Sequence, residues 1–567
     1  MTHLRLYRAA FAPLLAALVF AAFTFDGVPE PLEPPPGTIS FDASEAARNA
    51  RAVLSVGEER TPGSTADGEA ADVVRERFEE IVAGTTQEQR VEASGPEGDV
   101  TLRNVIITLP GQGDLTTLIV AGRDSLPGTS GEGSAAATGA LIELANLLAV
   151  VERSRTVVLA STSGATLGAE GARSLIGGLP DRLEVDAAVV VTRPGAAELT
   201  EPHLLGQVPG AVPLVLLETG AAVLEDRAMV SPGSPSVLEQ LARLALPVAT
   251  GEEAALDREG VPAIALSGSG EVELEPETAL DPETLARFGP AVAGVVQALD
   301  QTTVRIGESE PYLRAGDNVV GNGTVTLIAL ALILPAGAVA TSLLAKARRD
   351  GESLRRGLSW SAEWWIPGAA LLISIWTLAF VGVTPKAGYP YDPRRIELGV
   401  SEVGALLLLA ALVAALWWAL GLRRAPASPS GETLVGTSGA LTTGACLVAW
   451  LVNPYLALVL APLAHLAALG ALSEAPAKRF AAPALGLAAL PVTMVILVVA
   501  SELGWEAATP WHLVELVGGG GIGALAAAAT VLALSAAAAT VWAAISSSWR
   551  HPDPIPVGRQ GQPPARI

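Results

Sequence analysis

Residues 119–144 read IVAGRDSLPGTSGEGSAAATGALIEL, and the order of residue types in this stretch decides the fold. An apolar run over residues 117–121 stops at Gly122 and predicts a short buried strand. Residues 122–134 are rich in Gly, Pro and Ser and carry Arg123, Asp124 and Glu132, a composition that predicts a loop. Ala and Leu then dominate residues 135–151 and predict a helix. A strand feeding a helix through such a loop is the repeating step of an α/β sheet.

The same alternation extends in both directions. Strand-like runs occupy residues 100–109, 156–161, 187–192, 212–217 and 263–267. Helical stretches fall at residues 67–83, 168–176, 236–245 and 282–299. In the first of these Ala70, Val74, Phe78, Ile81 and Val82 share one face, opposite charge. The expectation is a largely parallel sheet flanked by helices, spanning residues 30–310 as one domain. The single Cys, Cys446, lies in a later apolar stretch, so this domain is held by its core and not by disulfides.

Charge and tryptophan divide the chain. Residues 26–310 hold 45 acidic against 18 basic residues, and the remainder 13 against 18. All 11 Trp fall at or after Trp360. The acidic half is unsuited to nucleic acid or anionic lipid headgroups. The other half is apolar in runs of bilayer-spanning length, near residues 319–345, 365–383, 403–420, 434–452, 455–472, 480–500 and 522–545. An eighth run, residues 9–25, follows Arg5 and Arg8 and reads as a retained anchor rather than a cleaved signal, because no clear small-x-small site follows it. The expected layout is an anchor over residues 1–29, the α/β domain over 30–310, a seven-helix all-α multi-span membrane bundle over 311–549 and a cytoplasmic tail over 550–567.

Basic residues orient this layout in the cell membrane. Lys346, Arg348, Arg349, Arg355, Arg356, Arg423, Arg424, Lys478, Arg479 and Arg550 all fall on the cytoplasmic side if both termini are inside, and the loop at 386–395 dissents. Trp364, Trp365, Trp417, Trp418 and Trp549 stand near span ends, as an interfacial belt requires. The large domain is then extracytoplasmic. Residues 30–37, EPLEPPPG, form a stiff spacer to it.

Several stretches of the domain match one family in order. They are RTPGS at 60–64, NVIITLPG at 104–111, GRDS at 122–125 with its Ala-rich helix, RTVVLASTSGATLG at 155–168, GVPAIALS at 260–267 and LDPETL at 280–285. The chain resembles the co-catalytic di-zinc aminopeptidases of peptidase clan MH, the family of aminopeptidase Y and the transferrin-receptor ectodomain. The resemblance covers residues 43–298 and implies an aminopeptidase-like (phosphorylase/hydrolase-like) fold. Its layout is also similar to the endoplasmic-reticulum metallopeptidase-like proteins and the attachment subunit of the GPI transamidase.

The resemblance also implies where the chemistry should stand. A zinc pair needs His and carboxylate ligands and a carboxylate base. The family's first His falls at Gly122. Its bridging Asp falls near Gly133, with Glu132 beside it as the one substitute. Its general-base Glu and the adjoining ligand Glu fall at Ala165 and Thr166, the next carboxylate at Thr192, and the last His around residues 271–277, which contain none. Asp124, which in the family orients a ligand, has no ligand left to orient. The resemblance thus implies a zinc cofactor for which this chain lacks the donors, and no catalytic residue.

Arg123, Asp124 and Glu132 could line a remnant binding pocket; solvated loop charges are the default, with Asp124 hydrogen-bonding the loop after its strand. The acidic run at 271–277 reads as an edge strand or loop, or else as a cation-binding lip. In the membrane half His465 is the one ionisable group deep in a span, hydrogen-bonded to a neighbouring helix or part of a proton relay. The leading functional expectation is a non-catalytic binding or scaffolding protein. Its partners would be the bilayer and a peptide, a lipid-linked substrate or another membrane protein. The alternatives are an active membrane metallopeptidase or amidohydrolase with a site rebuilt on Asp124 and Glu132, and, behind it, a transporter using His465.

Overall fold

A computed structural model of the chain describes residues 2–22, 26–35, 41–95, 98–180, 183–195, 203–206, 208, 210–268, 271, 280–307, 309–384, 398–422, 429–471 and 481–548. The strands are β1 (Asp26–Gly27), β2 (Thr85–Gly95), β3 (Gly98–Leu109), β4 (Leu115–Gly122), β5 (Thr156–Thr162), β6 (Glu184–Thr192), β7 (His203–Gly206), β8 (Ala263–Ser267), β9 (Tyr312–Ala315) and β10 (Asn318–Gly321). Seven of them form one sheet in the order β2-β3-β5-β4-β6-β8-β7. The central run β5-β4-β6-β8 is parallel. β2, β3 and β7 join antiparallel at the two margins.

β4 shows why its sequence reads as a continuous apolar run. Ile119 and Ala121 face one core with the Glu132–Ala149 and Pro282–Asp300 helices. Leu118 and Val120 face the other, with the Glu170–Gly178 and Glu252–Arg258 helices. A strand covered on both faces has no polar side to alternate. The α/β expectation, a sheet flanked by helices, therefore holds, with the sheet mixed rather than largely parallel.

Two local expectations fail. Residues 212–217 lie largely in a helix, Leu214–Val223, not a strand. A short run that is apolar throughout carries no period to tell the two apart, and Pro213 at the N-cap suits a helix start. Val82 is 98% exposed, because the Thr65–Glu79 helix ends before it; Ala70, Val74, Phe78 and Ile81 are buried as the pattern requires.

A buried ion pair pins the far end of the sheet. Arg155 Nη1 stands 2.6 Å from Asp186 Oδ2, and the Ile306 amide donates to Asp186 Oδ1 at 2.8 Å. Arg155 also donates to the Thr302 and Val304 carbonyls. The chain is thereby held as it leaves the domain for the β9–β10 hairpin, whose strand β10 pairs with β1.

Beyond the hairpin the chain is helical. Among the described residues five helices are long and apolar enough to cross a membrane: Asn322–Arg349, Val400–Leu422, Gly431–Val452, Ala481–Glu502 and Ala524–Ser546. A sixth span arises if Leu354–Glu363 and Ile366–Phe380, bent by 42°, are taken together. Two of the other apolar runs expected to span form shorter helices. Residues 454–471 form a helix, Pro454–Ala464, that tightens to a 3-10 turn at His465. The N-terminal run is broken into Thr2–Ala9 and Ala12–Ala22. These meet: Tyr7 Oη lies 3.0 Å from His465 Nδ1, and the Phe11 ring stacks on His465. The histidine is therefore bonded to a neighbouring helix.

The two halves share a polar and apolar seam. Leu244, Ala245 and Val248 pack with Val459, Val499 and Trp505. Asn453 Nδ2 donates to the Leu244 carbonyl at 2.7 Å. Arg243, fully buried on the Val237–Ala245 helix, donates twice to Glu271 and once, at 3.2 Å, to Glu502 at the end of a spanning helix.

Candidate functional site

The sheet opens a cleft where the strand order reverses. The chain passes from β4 to β5 on one side and then to β6 on the other, and such a switch point leaves a crevice beyond the carboxyl ends of the strands. Gly122 ends β4, Ala165 and Thr166 follow β5, and Thr192 ends β6; all four line one cavity of about 130 Å³. Its remaining wall includes Asp124, Ser134, Arg193, Thr250, Glu252 and Glu271. Arg193 holds φ of +46° beside Thr192, a conformation that costs free energy in a residue with a side chain.

The three residues expected in a remnant pocket separate. Arg123 and Asp124 are 0% and 3% exposed, which corrects the reading of them as solvated loop charges. Arg123 Nε pairs with Asp67 Oδ1 at 2.9 Å, and its guanidinium donates to the Ser161 and Arg103 carbonyls. Asp67 in turn accepts from Ser163 Oγ and the Gly63 amide. Arg123 is thus internal bracing, away from the cavity wall. Asp124 accepts the amides of Gly164, Ala165 and Thr166 at 2.9, 2.9 and 2.8 Å, and Thr166 Oγ1 at 2.7 Å. It binds the turn after β5 rather than the loop after its own strand. Glu132 is not on the cavity wall and accepts the Leu280 amide at 2.7 Å. Gly133, in the first turn of the Glu132–Ala149 helix, is not on the cavity wall.

The loop that carries these residues is secured by Arg60, which is fully buried. Its guanidinium donates to the carbonyls of Gly57, Arg123 and Gly131 and to Ser134 Oγ. Ser125 Oγ accepts the Arg60 amide at 2.9 Å. One guanidinium has enough donors to satisfy several loop carbonyls at once, and this fixes the loop on both sides of the cavity mouth.

Sequence reasoning missed Glu252. It opens the Glu252–Arg258 helix, is 6% exposed, and accepts Thr162 Oγ1 at 2.5 Å. Burial pushes its carboxyl up to about 7, and the Gly122 amide and Thr162 draw it back toward the ionised form. Neighbouring Glu253, also buried, is pushed by burial to about 8. In sequence the pair looks like ordinary acidic residues at a helix start; only the fold brings Glu252 under β4. Of the acidic run at 271–277, Glu271 lines the cavity and binds Arg243; Glu273, Glu275 and Glu277 lie outside the described residues.

The described residues at the positions that the resemblance assigns to metal are not zinc donors. Gly122, Ala165, Thr166 and Thr192 supply neither imidazole nor carboxylate. Asp124 is committed to four donors. Among the described residues no group of three or more His, Cys, Asp or Glu is placed to hold a metal. Position 122 is also closed sterically. A Cβ there would stand 2.5 Å from Ala165 Cβ and 3.2 Å from Glu252 Oε2, so a histidine could not enter without rearrangement. Ala165 and Glu252 occupy the room such a ligand would need.

Among solved structures the chain is similar to the glutaminyl cyclase of Fimbriiglobus ruber, at 15% identity and a TM-score of 0.37, covering 47% of this chain and 98% of that one. It is similar to BSAP, a zinc aminopeptidase from Bacillus subtilis, at 11% identity and 0.40, covering 48% and 98%. A leucine aminopeptidase precursor from Bacteroides thetaiotaomicron is similar at 14% identity and 0.35, with the same coverage. No family model and no curated protein sequence matches the chain.

Two outcomes follow from this packing. Gly122→Ala should destabilise the domain by about 1–3 kcal/mol through overpacking, and adding Ala165→Gly should recover most of the loss. Chemical unfolding followed by far-UV circular dichroism checks this; an unaffected single variant would contradict it. The second concerns pH. A carboxyl raised to about 7 supports folding below its unfolded value near 4.3 and loses that support as pH rises through about 7. Glu252→Gln escapes this loss. Its stability relative to the parent should therefore rise between pH 5 and pH 8, by at most on the order of 3 kcal/mol. Equal differences at both pH values would refute the assignment.

Proposed function

We propose that this chain is a multi-pass membrane protein whose aminopeptidase-like domain binds a ligand or partner without hydrolysing it. The observation that carries the reading is the set of residues around one cavity. The positions where the family holds metal and base are Gly122, Ala165, Thr166 and Thr192, and the surviving carboxylate, Asp124, holds the backbone together. A general base must be free to take a proton and within reach of the reacting group. Asp124 accepts four donors, and Glu132 faces the Leu280 amide, so a site rebuilt on this pair has little support.

The basic clusters at 346–356, 423–424 and 478–479 favour a cytoplasmic face for their helix ends and an extracytoplasmic place for the domain. The N-terminal helices are a retained anchor in this reading, supported by the packing of Tyr7 and Phe11 on His465. The Arg243–Glu502 contact supports a scaffolding role, since it ties the domain to a spanning helix. The ligand class is a peptide, a lipid-linked substrate or a membrane protein partner.

Full-length protein in detergent, incubated with unblocked peptides and added zinc, should leave the peptides intact by mass spectrometry. Release of N-terminal residues that stops on adding a chelator would overturn the proposal.

A further inference from the structure

A second cavity, of about 220 Å³, lies between the α/β domain and the β9–β10 hairpin. Leu204, Val212, Leu217, Ala221 and Pro232 supply most of its wall. Its polar side chains are those of Glu218, Ser234, Gln240, Glu271, Tyr312, Arg314 and Asp317. Glu218 and Arg314 pair with each other. Gln240 is committed to the Arg314 backbone, donating to its carbonyl at 3.0 Å and accepting its amide at 2.7 Å. Glu271 belongs to the walls of both cavities.

Tyr312 is different. It lines the cavity, is only 5% exposed, and its hydroxyl has no hydrogen-bond partner. Burial and the nearby Glu218 hold the phenol in its neutral form, so the hydroxyl is a donor with nothing to donate to. An orphaned buried hydroxyl in a native fold calls for a partner that arrives from outside. That partner must present an oxygen acceptor next to hydrocarbon, because Leu204, Val212, Leu217 and Ala221 line the same cavity.

The position of the cavity says where such a molecule comes from. β10 ends at Gly321, and the spanning helix Asn322–Arg349 starts at the next residue. A four-residue strand rises only about 13 Å, so Gly316 and Asp317, which line the cavity at the tip of the hairpin, stay within about that distance of the helix start. The cavity therefore lies near the start of a helix long and apolar enough to cross a membrane.

We propose that this second cavity binds an acyl amphiphile drawn from the membrane. Its carbonyl oxygen accepts from Tyr312 Oη, and its chain lies along Leu204, Val212, Leu217 and Ala221. This site stands whichever way the first cavity's chemistry is decided, because none of its acceptor or aliphatic contacts belongs to that cavity.

The test uses the full chain in phosphatidylcholine nanodiscs doped with a phosphatidylcholine carrying a diazirine on one acyl chain. After irradiation, mass spectrometry should find label on peptides from residues 204–221 and 312–317 as well as on the spanning helices. Ala221→Trp, which fills the cavity, should abolish the first two and leave the helix labelling intact; that retained labelling serves as the control for folding. Tyr312→Phe keeps the aliphatic wall and should lower cavity labelling about threefold to tenfold. Label confined to the helices, or cavity label unchanged in both variants, would overturn the proposal.

Discussion

The cavity depends on one carboxylate. Asp124 accepts three consecutive amides, Gly164 to Thr166, and the Thr166 hydroxyl. Buried donors left alone would each cost about 1–3 kcal/mol, so this turn could not close over the sheet without such an acceptor. The same contact brings Ala165 against Gly122. Asp124 thereby folds the backbone across the end of β4.

Support for that carboxylate comes from the buried network behind it. Arg123 pairs with Asp67, Asp67 accepts from Ser163, and Asn104 Oδ1 accepts the Ser163 amide. Arg60 holds the loop from the other side. Buried networks are favourable only when their members are satisfied. This explains why charged residues that stand in a Gly- and Pro-rich loop are nearly free of solvent exposure. Glu271 and Arg243 then carry the cavity wall to Glu502 at the membrane seam.

The strand–loop–helix at residues 115–149 was legible because apolar runs and helical spacing are local signals. β2 was not. Its sequence, TTQEQRVEASG, is polar and largely unburied, as an edge strand paired on one side can be. The helix at Leu214–Val223 was misread because uniform apolarity carries no period. Glu252 was invisible for another reason: its burial under β4 is made by residues some 90 positions away. Hydropathy located the membrane half but not the continuity of its helices. The break at His465 lies where Tyr7 and Phe11 pack, a contact across more than 450 residues.

We propose that this α/β domain lacks the donors for a zinc pair, and elemental analysis of the purified full-length chain tests that most directly. After zinc loading and desalting, a folded sample should retain no stoichiometric zinc. A tightly held pair of zinc ions in each chain would contradict the account and would require ligands other than the residues that line this cavity.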